Sequence, residues 1–394
     1  MTTAPSASST VLLPPYTPST PAPSYSYTPR EDECLVAQSG RHKPHPDTGT
    51  YLKRSGRDTI VLTGQDASAA IPTYRRRGLI AGFLDLAARE TITDLALKIR
   101  GKVSLHIPDM VPTECTFLDE SIGLWSMSEE CSPLSQLPFA YTLPASFKAG
   151  SLDRPLPPSY SSPQSSIAYT LQVTITRRRT RKFFGSPKNT VCIPFGYRPR
   201  TRPGHSTQSF VAGFLQDVKT MPEEWREHAH RVTGKAKADV KPLDLQLYIP
   251  SSGVFALDES IPFHVQLTGA VSSLQEVYRA DVQKGQRLVE VKIVRQTLVT
   301  INGMRTAVLQ SVIGRADLVS LPPGAGAEDN EVDGSASLDW SGDLRVNGDV
   351  EVASFDAGIV RMQDFIVVEL GPSANFERVR HSHSIRLVTD AWDT

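Results

Sequence analysis

From Tyr51 onward, apolar and polar residues alternate with a period of two, the pattern of strands with one packed face and one wet face. The cleanest run is Ile167–Thr176, where β-branched and aromatic residues alternate with Thr and Gln. Asp94–Val103 alternates in the same way, and Ile60–Leu62 and Leu79–Leu86 are apolar runs set off by Gly and Pro. A second series follows at Leu243–Ile249, Ile261–Leu267, Val289–Arg295 and Phe365–Leu370. Strands separated by turns, with no interleaved helical periods, predict sandwiches rather than a parallel sheet.

One helix is expected. Thr220-Met221-Pro222-Glu223 reads as a capping box, with Thr as N-cap, Glu three residues on and proline in the first turn. It predicts a short helix over 221–231 with Trp225 packing inward, then a Lys-rich linker from Lys235 to Lys241. Residues 323–337 are rich in Gly and acidic residues and read as a flexible loop. The pattern gives an all-β chain of two tandem immunoglobulin-like β-sandwiches. Its expected parts are a disordered Pro/Ser/Thr-rich tail at 1–48, a first sandwich at 49–215, the helix and linker at 216–240, and a second sandwich at 241–394.

Length agrees with two cores, since 394 residues exceed the roughly 250–300 at which one core stops growing. The tail is set apart by composition. Residues 1–30 hold seven prolines, twelve Ser or Thr and one charge, Arg30, too little apolar surface to offset chain entropy. Lys plus Arg and Asp plus Glu are both 42, so distribution matters more than net charge. Arg75, Arg76 and Arg77 form one basic run; Arg177, Arg178, Arg179, Arg181 and Lys182 form another; Arg198, Arg200 and Arg202 form a third. They are either solvated strand ends or a surface for acidic cargo, phosphorylated tails or anionic lipid. No nucleic-acid-binding motif accompanies them.

Cys34, Cys115, Cys131 and Cys192 are scattered without a Cys-x-x-Cys pair, which reads as reduced thiols and points to the cytoplasm. The N-terminus has no signal-peptide pattern, and no run approaches the roughly 18 apolar residues of a membrane span. Any visit to the plasma membrane or endosomes is then expected to be by peripheral recruitment.

Several segments together resemble the arrestin family. Ile71-Pro72-Thr73-Tyr74, Gly78 through Leu86, and Ile92 to Gly101 resemble the opening strands of its N-terminal domain. Leu156-Pro157-Pro158-Ser159-Tyr160, followed by Ile167-Ala168-Tyr169, resembles its Leu-Pro-x-Ser-Phe turn and next strand. Leu338-Asp339-Trp340-Ser341-Gly342 resembles a turn of the C-terminal domain; Val352 to Phe355, Phe365 to Leu370 and Ile385 to Thr389 complete the likeness. The likeness covers about residues 50–215 and 240–390 and is nearest to the arrestin-related trafficking adaptors. It implies an adaptor that holds cytoplasmic tails of membrane proteins and brings a WW-domain HECT ubiquitin ligase to them for endocytosis or sorting. The alternative is an arrestin-fold trafficking scaffold without ligase contact.

Leu13-Pro14-Pro15-Tyr16 matches Leu-Pro-x-Tyr, a variant WW ligand in a segment preformed as polyproline II. Pro157-Pro158-Ser159-Tyr160 is a full Pro-Pro-x-Tyr match, but it falls on the family's structural turn, where the aromatic ring is expected to pack. Lys235, Lys237 and Lys241 are candidate ubiquitin acceptors. No Gly-x-Ser-x-Gly elbow, Walker A loop or His-Glu-x-x-His occurs, so no catalytic residue or cofactor is expected. His381 and His383 share a strand face, as metal ligands can; with no Cys or carboxylate set nearby they read as exposed strand histidines.

Overall fold

The alternating runs become strands in the computed structural model, which describes residues 48–66, 69–106, 108, 111–128, 132–178, 188–204, 214–284, 289–301, 304–321, 334–371 and 375–392. The first lobe begins with β1 (Thr48–Ser55), β2 (Asp58–Asp66), β3 (Thr73–Tyr74), β4 (Leu79–Asp85), β5 (Ile92–Leu105) and β6 (Thr113–Ser126). It continues with β7 (Gln136–Thr142), β8 (Ser146–Ala149), β9 (Leu152–Pro155), β10 (Tyr160–Ser161), β11 (Ser165–Arg177) and β12 (Lys188–Tyr197). One sheet has the order β1-β2-β4-β7 and the other β3-β12-β11-β5-β6.

Alternation explains the sandwich. On β11, Ile167, Tyr169, Leu171, Val173 and Ile175 are all buried while the residues between them are not. On β5, Leu95, Leu97, Ile99, Val103 and Leu105 do the same, and each such side chain contributes about 1.5–3 kcal/mol on burial. They pack against Ile60, Leu62, Ile80 and Leu84 of the facing sheet. At Gly82, a Cβ would overlap the Val61 carbonyl oxygen, so glycine is what lets β2 approach β4.

The second lobe opens with α1 (Phe214–Thr220), a single 3-10 turn at Pro222–Glu224, and β13 (Trp225–Val232). Next come β14 (Leu243–Pro250), β15 (Val254–Ala256), β16 (Ile261–Ala270) and α2 (Val271–Lys284). It ends with β17 (Val289–Ile301), β18 (Met304–Leu321), β19 (Ser335–Val346), β20 (Phe355–Asp356), β21 (Val360–Leu370) and β22 (Arg380–Val388). These strands form one curled sheet in the order β13-β14-β16-β19-β18-β17-β21-β22-β15 around a second core that includes Leu247, Phe263, Val291 and Ile366. The chain is therefore all-β with sandwich architecture, as the alternation predicts.

The local readings fare less well. The helix expected over 221–231 is a strand, because all of Trp225–Val232 pairs with β14. Thr220 does not cap forward; its hydroxyl donates back to the Gln216 and Asp217 carbonyls and ends α1. A tertiary ladder outweighs the local capping signal here. Trp225 is nonetheless buried, against Phe214. Leu338–Gly342 is no turn but the middle of β19, with Asp339–Gly342 paired on both sides; a Cβ on Gly342 would overlap the Asp317 carbonyl oxygen of β18. α2 is a 14-residue helix where no helical period was read, and its Leu274 and Val277 are buried.

The lobes are joined by packing and by hydrogen bonds. Val299, Ala307, Ala357 and Val360 belong to the first lobe's core cluster. Thr201, beyond β12, and Thr389, beyond β22, clasp each other: each amide donates to the other's hydroxyl, at 2.8 and 3.1 Å. Among the described residues no helix is long and apolar enough to cross a membrane.

Candidate functional site

The segment leaving β12 runs as Arg198-Pro199-Arg200-Thr201-Arg202-Pro203, and its prolines keep it extended. It lies against the end of β22 and the stretch before β20, and a cleft of about 690 Å³ opens between the lobes there. That size falls within the usual range for ligand pockets, about 300–1,000 Å³. Its polar lining is dominated by Arg76, Arg77, Arg198, Arg200 and Arg386, with Glu351 and Asp356 as the facing carboxylates.

The arginines divide into two groups. Arg198 is paired with Glu351 at 2.7 Å, and Arg200 makes a bidentate pair with Asp390. The Arg200 hydrogen bond holds the Asp390 carboxyl below its usual range. Both pairs bridge the lobes, Arg198–Glu351 at the exposed rim and Arg200–Asp390 in a more sheltered position. Arg76, Arg77 and Arg386 are exposed and, among the described residues, have no carboxylate within ion-pair distance. Arg76 and Arg77 stand on a tight turn closed by the Gly78 amide on the Arg75 carbonyl at 2.8 Å. Arg77 itself is left-handed (φ 55°), a conformation that costs a non-glycine residue about 1 kcal/mol or more. The cleft floor is apolar: Leu156, Pro158 and Tyr197 are buried there, and burial pushes the Tyr197 phenol up to about 12. A basic, partly apolar cleft with unpaired guanidinium groups suits a ligand that presents carboxylates or phosphates on an extended chain.

The basic run at the end of β11 does not join this site. Arg177 places Nη2 2.8 and 2.9 Å from the two Asp58 oxygens, and its Nη1 donates to the Ala87 and Ala88 carbonyls and to Thr91 Oγ1. It is a structural clasp, not a free cargo contact. Arg178 donates to the Met127 sulfur at 2.8 Å. Both lie past the far end of β4, while Arg75, Arg76 and Arg77 precede its start, so a seven-residue strand of about 20 Å separates them. Arg179, Arg181 and Lys182 lie outside the described residues.

Leu13, Pro14, Pro15 and Tyr16 also lie outside the described residues. Pro157 and Pro158 are buried, and Tyr160 is half-buried with its hydroxyl on Ser165 at 2.9 Å and its ring 6.5 Å from Phe355. In this fold that segment cannot offer both prolines and the tyrosine to a WW groove. Lys235, Lys237 and Lys241 are exposed between β13 and β14, on a backbone anchored where the Lys235 amide meets the Asn375 carbonyl and the Lys241 amide meets Ser273 Oγ. Trp392 is 43% exposed.

One constellation escaped sequence reasoning. His264 on β16 contacts Ser341 Oγ at 2.8 Å through Nδ1 and Asp339 at 3.1 Å through Nε2, both on β19. The three groups resemble a nucleophile, base and orienting acid. Yet Phe214 of α1 stacks on the imidazole at 4.1 Å, and His264 is 1% exposed. Burial lowers its pKa. The network satisfies a buried histidine and seats α1 on the sheet. Only cross-strand register brings these residues together, so spacing along the chain held no sign of it. No protein-family model matches the chain, and a search of curated proteins found no match.

Proposed function

We propose that this chain is an arrestin-like adaptor that binds the acidic or phosphorylated cytoplasmic tail of a membrane protein in the cleft between its lobes. The supporting observation is the trio of unpaired arginines, Arg76, Arg77 and Arg386, lining a cleft of about 690 Å³ with an apolar floor. Ion-paired Arg198 and Arg200 fix the wall, so the unpaired three remain free to engage phosphate or carboxylate in bidentate fashion. The Leu13–Tyr16 segment supplies the second contact, to a WW-domain ubiquitin ligase.

Burial of Pro157 and Pro158 favours a second reading, a trafficking scaffold without ligase contact, because the full Pro-Pro-x-Tyr match is sequestered. The tail motif separates the two. A fluorescence-anisotropy titration tests the first reading, using one labelled peptide with clustered phosphoserines and its unphosphorylated form. The phosphorylated peptide is expected to bind at least about tenfold more tightly and to lose affinity as salt rises. Equal binding of the two forms would contradict the reading.

A further inference from the structure

Two strands of the second lobe run side by side without pairing. β13 begins the curled sheet, while β22 and β15 end it, so the sheet nearly closes on itself. Closure is made at one end, where Gly234 bridges Phe376 and the Glu377 amide donates to the Thr233 carbonyl at 3.1 Å. Beyond that point no backbone ladder joins β13 to β22 among the described residues. β15 takes the edge of β22 only at Arg386–Val388, which leaves Arg380–Ser384 without a ladder partner on that side.

Histidines fill the gap. His228 and His383 lie with ring centroids 3.5 Å apart, and His230 and His381 lie 5.3 Å apart. A step of two along β13 is matched by a step of two back along β22, so the four form two rungs. Their neighbours across each ladder are apolar and buried: Leu247 and Leu245 on β14, Ile366 and Val368 on β21. The Nε2 atoms of His228 and His381 are buried without a hydrogen-bond partner.

The surrounding charges do not favour a cation. Arg226 shares the histidine row of β13 and acts on His228 and His383. The nearby carboxylates are engaged elsewhere: Glu227 by Gln246, Glu369 by Lys292, and Glu377 by Thr233. Burial first, then Arg226 and the neighbouring imidazoles, hold His228 and His383 below the ordinary value, His383 at about 4. Burial and then His230 lower His381.

We propose that the β13–β22 seam is an acid-released latch: on acidification the facing histidines take up protons, repel one another and Arg226, and part the two strands. The sign follows from linkage. The unfolded or opened chain binds more protons than the closed seam once pH falls below about 6.5, so closure is complete above that value and lost as pH falls toward 4. Opening uncovers together the unpaired outer edge of β13 and the Arg380–Ser384 edge of β22.

Hydrogen–deuterium exchange on the full chain tests this, comparing about pH 7.5 with about pH 5 after correction for intrinsic exchange. The amides of Lys235 and Glu377, which donate across the seam, are expected to exchange roughly tenfold faster at the lower pH, with β5 and β11 unchanged. The response should fall by about half or more in the double variant His228→Leu, His383→Leu, which removes one rung and leaves His230 and His381. The milder His383→Asn, which retains a polar side chain, should reduce it by about half or more. Equal protection at the two pH values in the wild type overturns the latch, and so does an acid response that survives intact in either variant.

Discussion

Arg177, the last residue of β11, donates to both carboxylate oxygens of Asp58, the first residue of β2, at 2.8 and 2.9 Å. The two strands belong to opposite sheets of the first sandwich, so one ion pair ties the layers together at their rim. Asp58 is 8% exposed, and it also accepts from the Ala87 amide at 3.1 Å. A residue that sequence alone groups with a cargo-binding patch is thus committed to the fold.

Arg177→Ala is accordingly expected to destabilise the first lobe by about 3 kcal/mol, because it leaves a largely buried carboxylate short of a countercharge. Chemical denaturation measures this directly. Peptide binding by the folded variant should stay unchanged, since Arg177 lies beyond the far end of β4 from the cleft.

A second buried pair sits behind the cleft wall. Arg295 Nε and Nη2 donate to Asp364 at 2.8 and 3.0 Å, and Arg295 Nη1 donates to the Val352 carbonyl at 2.7 Å. Ser354 donates to the same carboxylate, and both Val352 and Ser354 line the cleft. Asp364, fully buried, anchors that wall. Asp364→Ala should cost about 3–5 kcal/mol in denaturation, and peptide affinity should fall with it. Retained affinity would separate the wall from the binding site.

The two tyrosine motifs should behave oppositely. On a WW-domain array, Tyr16→Ala is expected to abolish binding, whereas Tyr160→Ala should leave it intact. Tyr160→Ala should instead lower stability by about 2 kcal/mol through lost ring packing against Phe355 and the lost Ser165 hydrogen bond. Thermal unfolding of the two variants checks the second half of this prediction.

The strands were legible where burial writes a period of two. Ile167–Thr176 and Leu243–Ile249 have apolar residues at every second position because one face of each meets a core. β13 was not legible, because only its end residues Trp225 and Val232 are buried and Arg226, His228 and His230 stand in the row between, which removes the apolar signature. α2 shows Val271, Leu274, Val277 and Tyr278 at helical spacing, a signal short enough to be lost between strands. Of the cleft, the sequence displayed Arg76, Arg77, Arg198 and Arg200 as basic runs but not their convergence. Arg386 gave no sign, being one outward residue of an alternating strand. His381 and His383, read as exposed, face the core side, and the register that brings His228 and His230 to them is tertiary.

The most direct test of the binding account is charge reversal at two of the three cleft arginines that make no ion pair among the described residues. Arg76→Glu with Arg386→Glu leaves both interlobe pairs in place, so thermal unfolding should match the wild type. Affinity for the phosphorylated peptide is predicted to fall by about a hundredfold, near tenfold per lost charge-assisted contact. Undiminished affinity in the folded double variant would contradict the cleft as the binding site.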